Sequence, residues 1–142
     1  MTQSYHYREC GLDSVWIENG YSIERDDWGD LISLVDVDGL NNAIGARLVT
    51  QQRPLNGTEL RFLRVELLAD VQRLGAKLGI DPSLISLWEA GRDRPLPDQR
   101  ADERLRTHYT EILNALDVPV DSGPAADERL CFRREGTQWV AV

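Results

Sequence analysis

Residues 63–92 read LRVELLADVQRLGAKLGIDPSLISLWEAGR, and this run contains the clearest structural signal of the chain. The pattern predicts a short helix that ends at Gly79 and a second one that begins at Asp81 and stops at Gly91. Two short helices joined by a glycine-containing turn form the unit that places its second helix in the major groove of DNA. The run therefore indicates DNA binding rather than catalysis.

Apolar residues at helical spacing extend the prediction to both sides of this run. The predicted helices span about 39–50 after an N-cap at Asp38, from Asn56 or Thr58 to about Leu68, 70–78, 81–90 and 98–115. Their predicted inward residues are Leu40, Ile44 and Leu48, then Leu60, Leu63 and Leu67, then Leu74, Leu78, Ile85 and Trp88, and finally Leu105, Tyr109 and Ile112.

Runs of β-branched and aromatic residues predict short strands at both ends of the chain. Near the N-terminus they cover 5–7, 15–17, 21–23 and 31–35, and Asn19-Gly20 predicts a hairpin turn between the second and third. After a linker marked by Pro119 and residues 121–124, the run 130–142 predicts a hairpin that turns near Glu135-Gly136. The apolar residues of this hairpin suit packing on the same chain or on a partner chain, and the sequence leaves both open: Leu130, Phe132, Trp139 and Val140.

The predicted fold class is therefore α+β, with three segments. A small β-rich N-terminal module with one helix covers residues 1–52. An all-α helix-turn-helix domain covers 53–116, and a linker with a short C-terminal β-hairpin covers 117–142.

Charge and composition set limits on the partners and the compartment. The net charge is −8, but residues 53–109 carry 10 basic and 9 acidic residues, so the acidic excess lies outside the helical segment. A near-neutral segment is compatible with DNA binding when its arginines share a face. No run approaches the length of a membrane span, and the start lacks the basic and apolar regions of a signal peptide. Two distant cysteines, Cys10 and Cys131, suit reduced thiols, and we expect a cytoplasmic, nucleoid-associated protein.

Signatures of catalysis are missing from the sequence. There is no nucleophile elbow, phosphate-binding loop or His-Glu-x-x-His motif. Neither His6 nor His108 has a neighbouring ligand at metal-binding spacing, and the acidic pairs 26–27 and 36/38 suit turns and a helix cap. We therefore expect no enzymatic activity, no cofactor and no metal site.

The ordered set Leu74, Gly79, Ile80, Ile85, Trp88, Glu89 and Gly91 resembles the helix-turn-helix of the Xre/Cro family. The resemblance covers about 55 residues. It implies a lambda-repressor-like fold and a homodimer on an inverted repeat in double-stranded DNA, with repression of its own operon as the output. A β-rich module before such a domain is also similar to the order of MqsA-like antitoxins. Their zinc site uses two Cys-x-x-Cys pairs, whereas Cys10 stands alone in this module.

The resemblance also implies roles for individual residues. Residues expected in the major groove are Ser83, Leu84, Ser86 and Leu87. Arg92 and Arg94 are expected to contact phosphate or the minor groove, and Arg64 and Glu89 to form a structural ion pair that does not touch DNA. The family often has glutamine at position 71, where this chain has Val71, so Gln72 is the nearest amide that can hold a phosphate. Pro82 likewise replaces a position that often reads bases, which predicts sparse direct readout.

Two alternatives remain open on the sequence. The first is an antitoxin whose N-terminal module binds a toxin protein through its aromatic residues, although the same residues suit a small core. The second is a helix-turn-helix that no longer binds DNA, for which Val71, Pro82 and the acidic balance of the chain are the motivation. The serines of the second helix also suit plain solvation, and its two leucines suit a protein contact.

Overall fold

The computed structural model of the chain describes residues 4–120 and 130–142. Its elements, in chain order, are β1 (Tyr5–His6), β2 (Val15–Ile17), β3 (Tyr21–Asp26), β4 (Gly29–Leu34), α1 (Val37–Thr50), α2 (Gly57–Glu66), α3 (Val71–Leu78), α4 (Pro82–Ala90), α5 (Gln99–Ala115), β5 (Leu130–Glu135) and β6 (Gln138–Ala141). This confirms the predicted α+β class, with strands at both ends and helices between them. The predicted linker run 121–124 lies outside the described residues. In the part of the chain that is described, no helix has the length and apolar character needed to cross a membrane.

The N-terminal and C-terminal strands form one sheet, with the order β1-β2-β5-β6. Strand β2 pairs antiparallel with β1 and parallel with β5, and β5 pairs antiparallel with β6. Of the four apolar residues of this hairpin, Leu130, Phe132 and Trp139 are buried against this chain and Val140 is half-buried. The indole nitrogen of Trp139 also donates to the carbonyl of Val35 at 3.0 Å.

The predicted hairpin at Asn19-Gly20 is wrong. Strand β2 does not pair with β3, because Val15 and Ile17 are fully buried beside β5, opposite Leu130 and Phe132. Burial of these apolar side chains outweighs the local turn preference of an Asn-Gly pair. The Asn19 side chain instead joins the chain to β5, since its Oδ1 accepts the backbone N–H of Arg134 at 2.6 Å.

Strands β3 and β4 form a separate two-stranded hairpin. The pairing of Asp26 with Gly29 leaves Asp27 and Trp28 at the tip, and the backbone N–H of Trp28 donates to the Asp26 carboxylate at 2.8 Å. The prediction that 26–27 are turn residues is therefore confirmed at Asp27. Trp28 itself is 95% exposed.

Helix boundaries follow the capping chemistry of the sequence, with one correction. Asp36, rather than the predicted Asp38, is the N-cap of α1, where its carboxylate accepts the N–H of Gly39 at 3.1 Å. Asn56 begins α2 with a capping box that includes Glu59, and Asp98 begins α5. The predicted end of α2 near Leu68 is two residues too long, because Leu68 adopts a left-handed backbone conformation with φ 55°.

A single hydrophobic cluster contains residues from the strands and from all five helices. The predicted inward residues of α1 are all fully buried, and Gly45 lets α1 approach α5 so closely that a Cβ there would lie 2.3 Å from the hydroxyl oxygen of Tyr109. On α5 the prediction for Ile112 is wrong, because it is 39% exposed and Leu113 is buried in its place. The pitch of the helix allows either residue inward, and the position of α1 selects Leu113.

A buried polar network joins α5 to the connection between α1 and α2. The carboxylate of Asp102 accepts the backbone N–H of Leu55 at 2.8 Å and forms an ion pair with Arg106. Arg106 also donates to the carbonyl oxygens of Gln51 and Arg53, the second at 2.7 Å. Asp102 and Arg106 have the four-residue spacing of a helical ion pair, but the sequence gives no local signal for their contacts with Leu55, Gln51 and Arg53, which are 47 to 55 residues distant in the chain.

Candidate nucleic-acid interface

The connection between α3 and α4 is a three-residue turn, 79–81. Gly79 ends α3 in the left-handed conformation, with φ 70°, where a residue without a Cβ is favoured. Asp81 then begins α4 by accepting the N–H of Ser83 at 2.9 Å, and Pro82 occupies the first helical position. The predicted end of α3 at Gly79 and the predicted start of α4 at Asp81 are therefore confirmed.

Close packing holds the angle between the two helices. A Cβ at Gly75 would lie 2.5 Å from the carbonyl oxygen of Ile80, so the turn passes directly over α3. Leu74, Leu78 and Ile85 are buried beneath the helix pair. Since interiors pack tightly, these contacts hold α4 in its observed orientation on α3.

The predicted ion pair between Arg64 and Glu89 is present in the structure. It is bidentate: Nε of Arg64 lies 2.7 Å from one carboxylate oxygen of Glu89, and Nη2 lies 2.9 Å from the other. The third donor of the guanidinium, Nη1, reaches the carbonyl of Ala69 at 3.0 Å. Both side chains are mostly buried, at 17% and 11% exposed, and the hydrogen bonds to Glu89 raise the pKa of Arg64. The pair therefore holds α2, the α2–α3 turn and the end of α4 together.

Four predicted contact residues lie together on the outward face of α4. Ser83, Leu84, Ser86 and Leu87 are all exposed, whereas Ile85 on the opposite side is fully buried. The exposed fractions of Leu84 and Leu87 are 40% and 65%. Packing in the core therefore does not explain why these two leucines stand on the outward face of α4.

The hydroxyl of Ser83 is not a free donor. It donates to Oδ1 of Asp81 at 2.8 Å, the same oxygen that accepts the backbone N–H of Ser83. These hydrogen bonds hold the pKa of Asp81 below its ordinary value, so this exposed carboxylate is ionised at neutral pH. The start of α4 thus presents oxygen acceptors to the solvent. Sequence reasoning identified Asp81 as a helix cap but missed its place on this surface, which the Asp-x-Ser spacing signals.

The remaining predicted contacts lie at the edges of this face. Gln72 is exposed on the first turn of α3, and Arg92 and Arg94 are exposed in the loop after α4. Arg92 is left-handed, with φ 53°, and its carbonyl accepts the backbone N–H of Thr58 at 2.9 Å, which ties the loop to α2. Neither arginine forms an ion pair with any residue in 4–120 or 130–142.

One structural arginine was missed by sequence reasoning. Arg104 on α5 donates to the carbonyl of Leu78 at 2.9 Å and so satisfies the C-terminal end of α3. Its partner lies 26 residues away, and a surface arginine on an amphipathic helix gives no sign of such a contact.

The N-terminal histidine and cysteine are held in protein contacts. His6 stacks on Trp16 with the ring centres 4.1 Å apart. Burial raises the pKa of the free Cys10 thiol to about 11, so it is protonated at neutral pH and a poor ligand. Over the described ranges, no group of three or more His, Cys, Asp and Glu side chains is placed to hold a metal ion.

No family model, curated protein or solved structure matches this chain.

Proposed function

We propose that this chain is a sequence-specific DNA-binding transcriptional regulator that inserts α4 into the major groove. The observation that carries the proposal is the outward face of α4, where four exposed side chains follow a tight turn and a buried ion pair braces the far end of the helix. A short helix that is held firmly in place and has an exposed outward face meets the geometric requirements for insertion into the major groove.

The electrostatics support contact with the DNA backbone near α4. Arg92 and Arg94 are exposed and unpaired within the described chain, and the region 53–109 has no acidic excess. Arginines beside a recognition helix neutralise phosphates and position the helix without reading sequence. The acidic excess of the N-terminal module then keeps the remainder of the molecule away from the duplex.

We further propose a homodimer that binds an inverted repeat and represses its own operon. One recognition helix covers too few base pairs for useful specificity, and two half-sites one helical turn apart double the contact. Such a dimer would cover promoter DNA and exclude polymerase by steric hindrance.

The test is binding of the purified chain to its own upstream DNA across a salt series. We expect saturable binding that weakens with salt, because arginine–phosphate contacts release counterions. Arg94→Ala should reduce the magnitude of the slope of log K against log salt by about 1 for each phosphate that the arginine neutralises, hence by about 2 in a dimer. Combining it with Ser83→Ala should weaken binding further.

The matched control is Arg25→Ala, which removes the same charge from β3, where the guanidinium is 83% exposed. Its salt slope should equal that of the unaltered chain. Absence of binding at ~50 mM salt, where phosphate contacts are strongest, would overturn the proposal and favour a helix-turn-helix that no longer binds DNA.

A second candidate function, an antitoxin that binds a toxin protein, is favoured by the β3–β4 hairpin. Its tip exposes Trp28, and residues 21–34 carry four acidic side chains against one arginine. An exposed tryptophan on a hairpin rich in carboxylates suits a basic protein surface with an apolar pocket. This role is compatible with DNA binding by α4.

Trp28→Ala tests this second function in co-expression with the product of the adjacent gene. If the hairpin is the docking element, the variant should weaken the complex by about 30-fold, as for an interface tryptophan worth roughly 2 kcal/mol. Leu116→Ala truncates a 59% exposed leucine at the end of α5. It serves as the control and should leave the complex unchanged. Failure to form a complex, or equal affinity for Trp28→Ala, would reject this function.

A further inference from the structure

We infer that the half-site read by α4 is rich in A·T pairs, with Leu84 and Leu87 selecting thymine through its C5 methyl group. The inference rests on the proposed DNA-binding function and names the bases that this surface fits. Three features of the helix carry it: its exposed leucines, the donors that it lacks and the acceptors at its start.

The first feature is the pair of exposed leucines. Leu84 and Leu87 are three residues apart and so adjacent on the helix surface, with 40% and 65% of each residue exposed. In the major groove the one apolar group that base pairs offer is the thymine methyl. A leucine pair on an inserted helix therefore gains contact area only where thymines lie.

The second feature is the absence of the side chains that read guanine. Residues 82–90 contain no Arg or Lys, and their one charged residue, Glu89, is engaged by Arg64. Guanine presents O6 and N7, both acceptors, and is read chiefly by arginine or lysine. Among the side chains on the outward face of α4, only the Ser86 hydroxyl can therefore donate to guanine, because the Ser83 hydroxyl already donates to Asp81.

The third feature is the set of acceptors at the start of α4. The Ser83 hydroxyl gives its proton to Oδ1 of Asp81, which leaves the hydroxyl lone pairs and Oδ2 of Asp81 as acceptors. Acceptors in the major groove pair with the amino groups of adenine and cytosine. Only the A·T pair combines such a donor with a methyl group, so the acceptors and the leucines together select A·T.

The experiment alters the DNA, so that protein folding does not confound it. Thymines of a footprinted half-site are replaced one at a time by deoxyuridine, which removes only the C5 methyl, and affinity is measured by fluorescence anisotropy. A contacted methyl should cost about fourfold in Kd, and about fifteenfold when both half-sites of a dimer are changed, as expected for ~0.8 kcal/mol per buried methyl. In the converse experiment, a neighbouring cytosine that α4 reaches is replaced by 5-methylcytosine. The added methyl group should strengthen binding by a similar factor.

Protein variants then assign the effect to the leucines. In Leu84→Ala and Leu87→Ala the uracil penalty should disappear at the position that each leucine contacts. Leu31→Ala, which truncates a 58% exposed leucine on β4, should keep the full penalty. Because all three side chains are exposed, we expect urea unfolding of these variants to match that of the unaltered chain.

Two outcomes separate this inference from the proposed function. Saturable binding that Arg94→Ala weakens but that uracil leaves unchanged would overturn the inference and leave the DNA-binding function intact. Absence of saturable binding to any fragment of the upstream DNA would overturn both.

Discussion

Arg64→Ala should lower the free energy of unfolding by about 3–5 kcal/mol, the range found when one partner of a buried ion pair is removed. The truncation removes the bidentate partner of the Glu89 carboxylate, whose side chain is only 11% exposed in the unaltered chain. It also removes the donor to the carbonyl of Ala69. Because the pair braces the end of α4, the same variant should also weaken DNA binding. Urea denaturation followed by circular dichroism measures the stability loss.

A double-mutant cycle with Glu89→Ala isolates the pair itself. The double variant should be more stable than the sum of the single losses predicts, since removing both charges leaves neither one buried and unpaired. Arg61→Ala, which removes an exposed arginine from the same helix, is the matched control and should change stability by less than ~0.5 kcal/mol. Equal stabilities for Arg64→Ala and Arg61→Ala would contradict the assigned role.

Asp102→Ala should have an effect of comparable size, about 3–5 kcal/mol. Asp102 is 8% exposed at the side chain, and its loss leaves both the guanidinium of Arg106 and the backbone N–H of Leu55 without their carboxylate. The connection between α1 and α2 would then lose one attachment to α5 and keep only the hydrogen bonds from Arg106 to the carbonyls of Gln51 and Arg53. Urea denaturation reports the global loss.

Hydrogen exchange at the Leu55 amide gives a second, local readout. This amide should exchange markedly faster in Asp102→Ala, because its acceptor is gone. Glu103→Ala removes an exposed carboxylate from the adjacent position on α5 and should alter neither stability nor the exchange of Leu55. Unchanged protection of Leu55 in Asp102→Ala would show that the network does not hold this connection.

Helix ends were the most predictable part of the fold. Asp81, Pro82 and Gly91 mark the start and the end of α4 in the sequence as they do in the structure, since helix capping depends on the residues at the terminus itself. The one misplaced cap, at α1, arises because Asp36 and Asp38 are both suitable acceptors two residues apart. Local chemistry limits the choice but does not always make it unique.

Strand pairing was the least predictable part. The sequence favours a hairpin at Asn19-Gly20, yet β2 pairs in parallel with β5, more than 110 residues later in the chain. A strand of three residues such as Val15–Ile17 contains too little information to name its partner. The partner of this strand is decided by the apolar surfaces that become buried together. Helix α1 helps to bring those surfaces together, because it packs against both the sheet and α5.

The candidate interface likewise combines features that the sequence predicts with features that it does not predict. Helical periodicity places Ser83, Leu84, Ser86 and Leu87 on one side of α4 and Ile85 on the other, and the exposures agree. The sequence does not reveal that the Ser83 hydroxyl is already bound to Asp81, or that Arg104 closes the end of α3. The first depends on a rotamer, and the second on the packing of α5 beside α3.

The α+β class, the approximate positions of the helices and the outward face of α4 follow from the sequence alone, because caps, turns and periodicity act over a few residues. Three features follow only from the folded chain: the first and last strands share a sheet, Leu113 rather than Ile112 is buried, and Asp102 and Arg106 hold the α1–α2 connection. Each of these depends on contacts between distant segments, where burial of apolar surface and pairing of buried charge outweigh local preference.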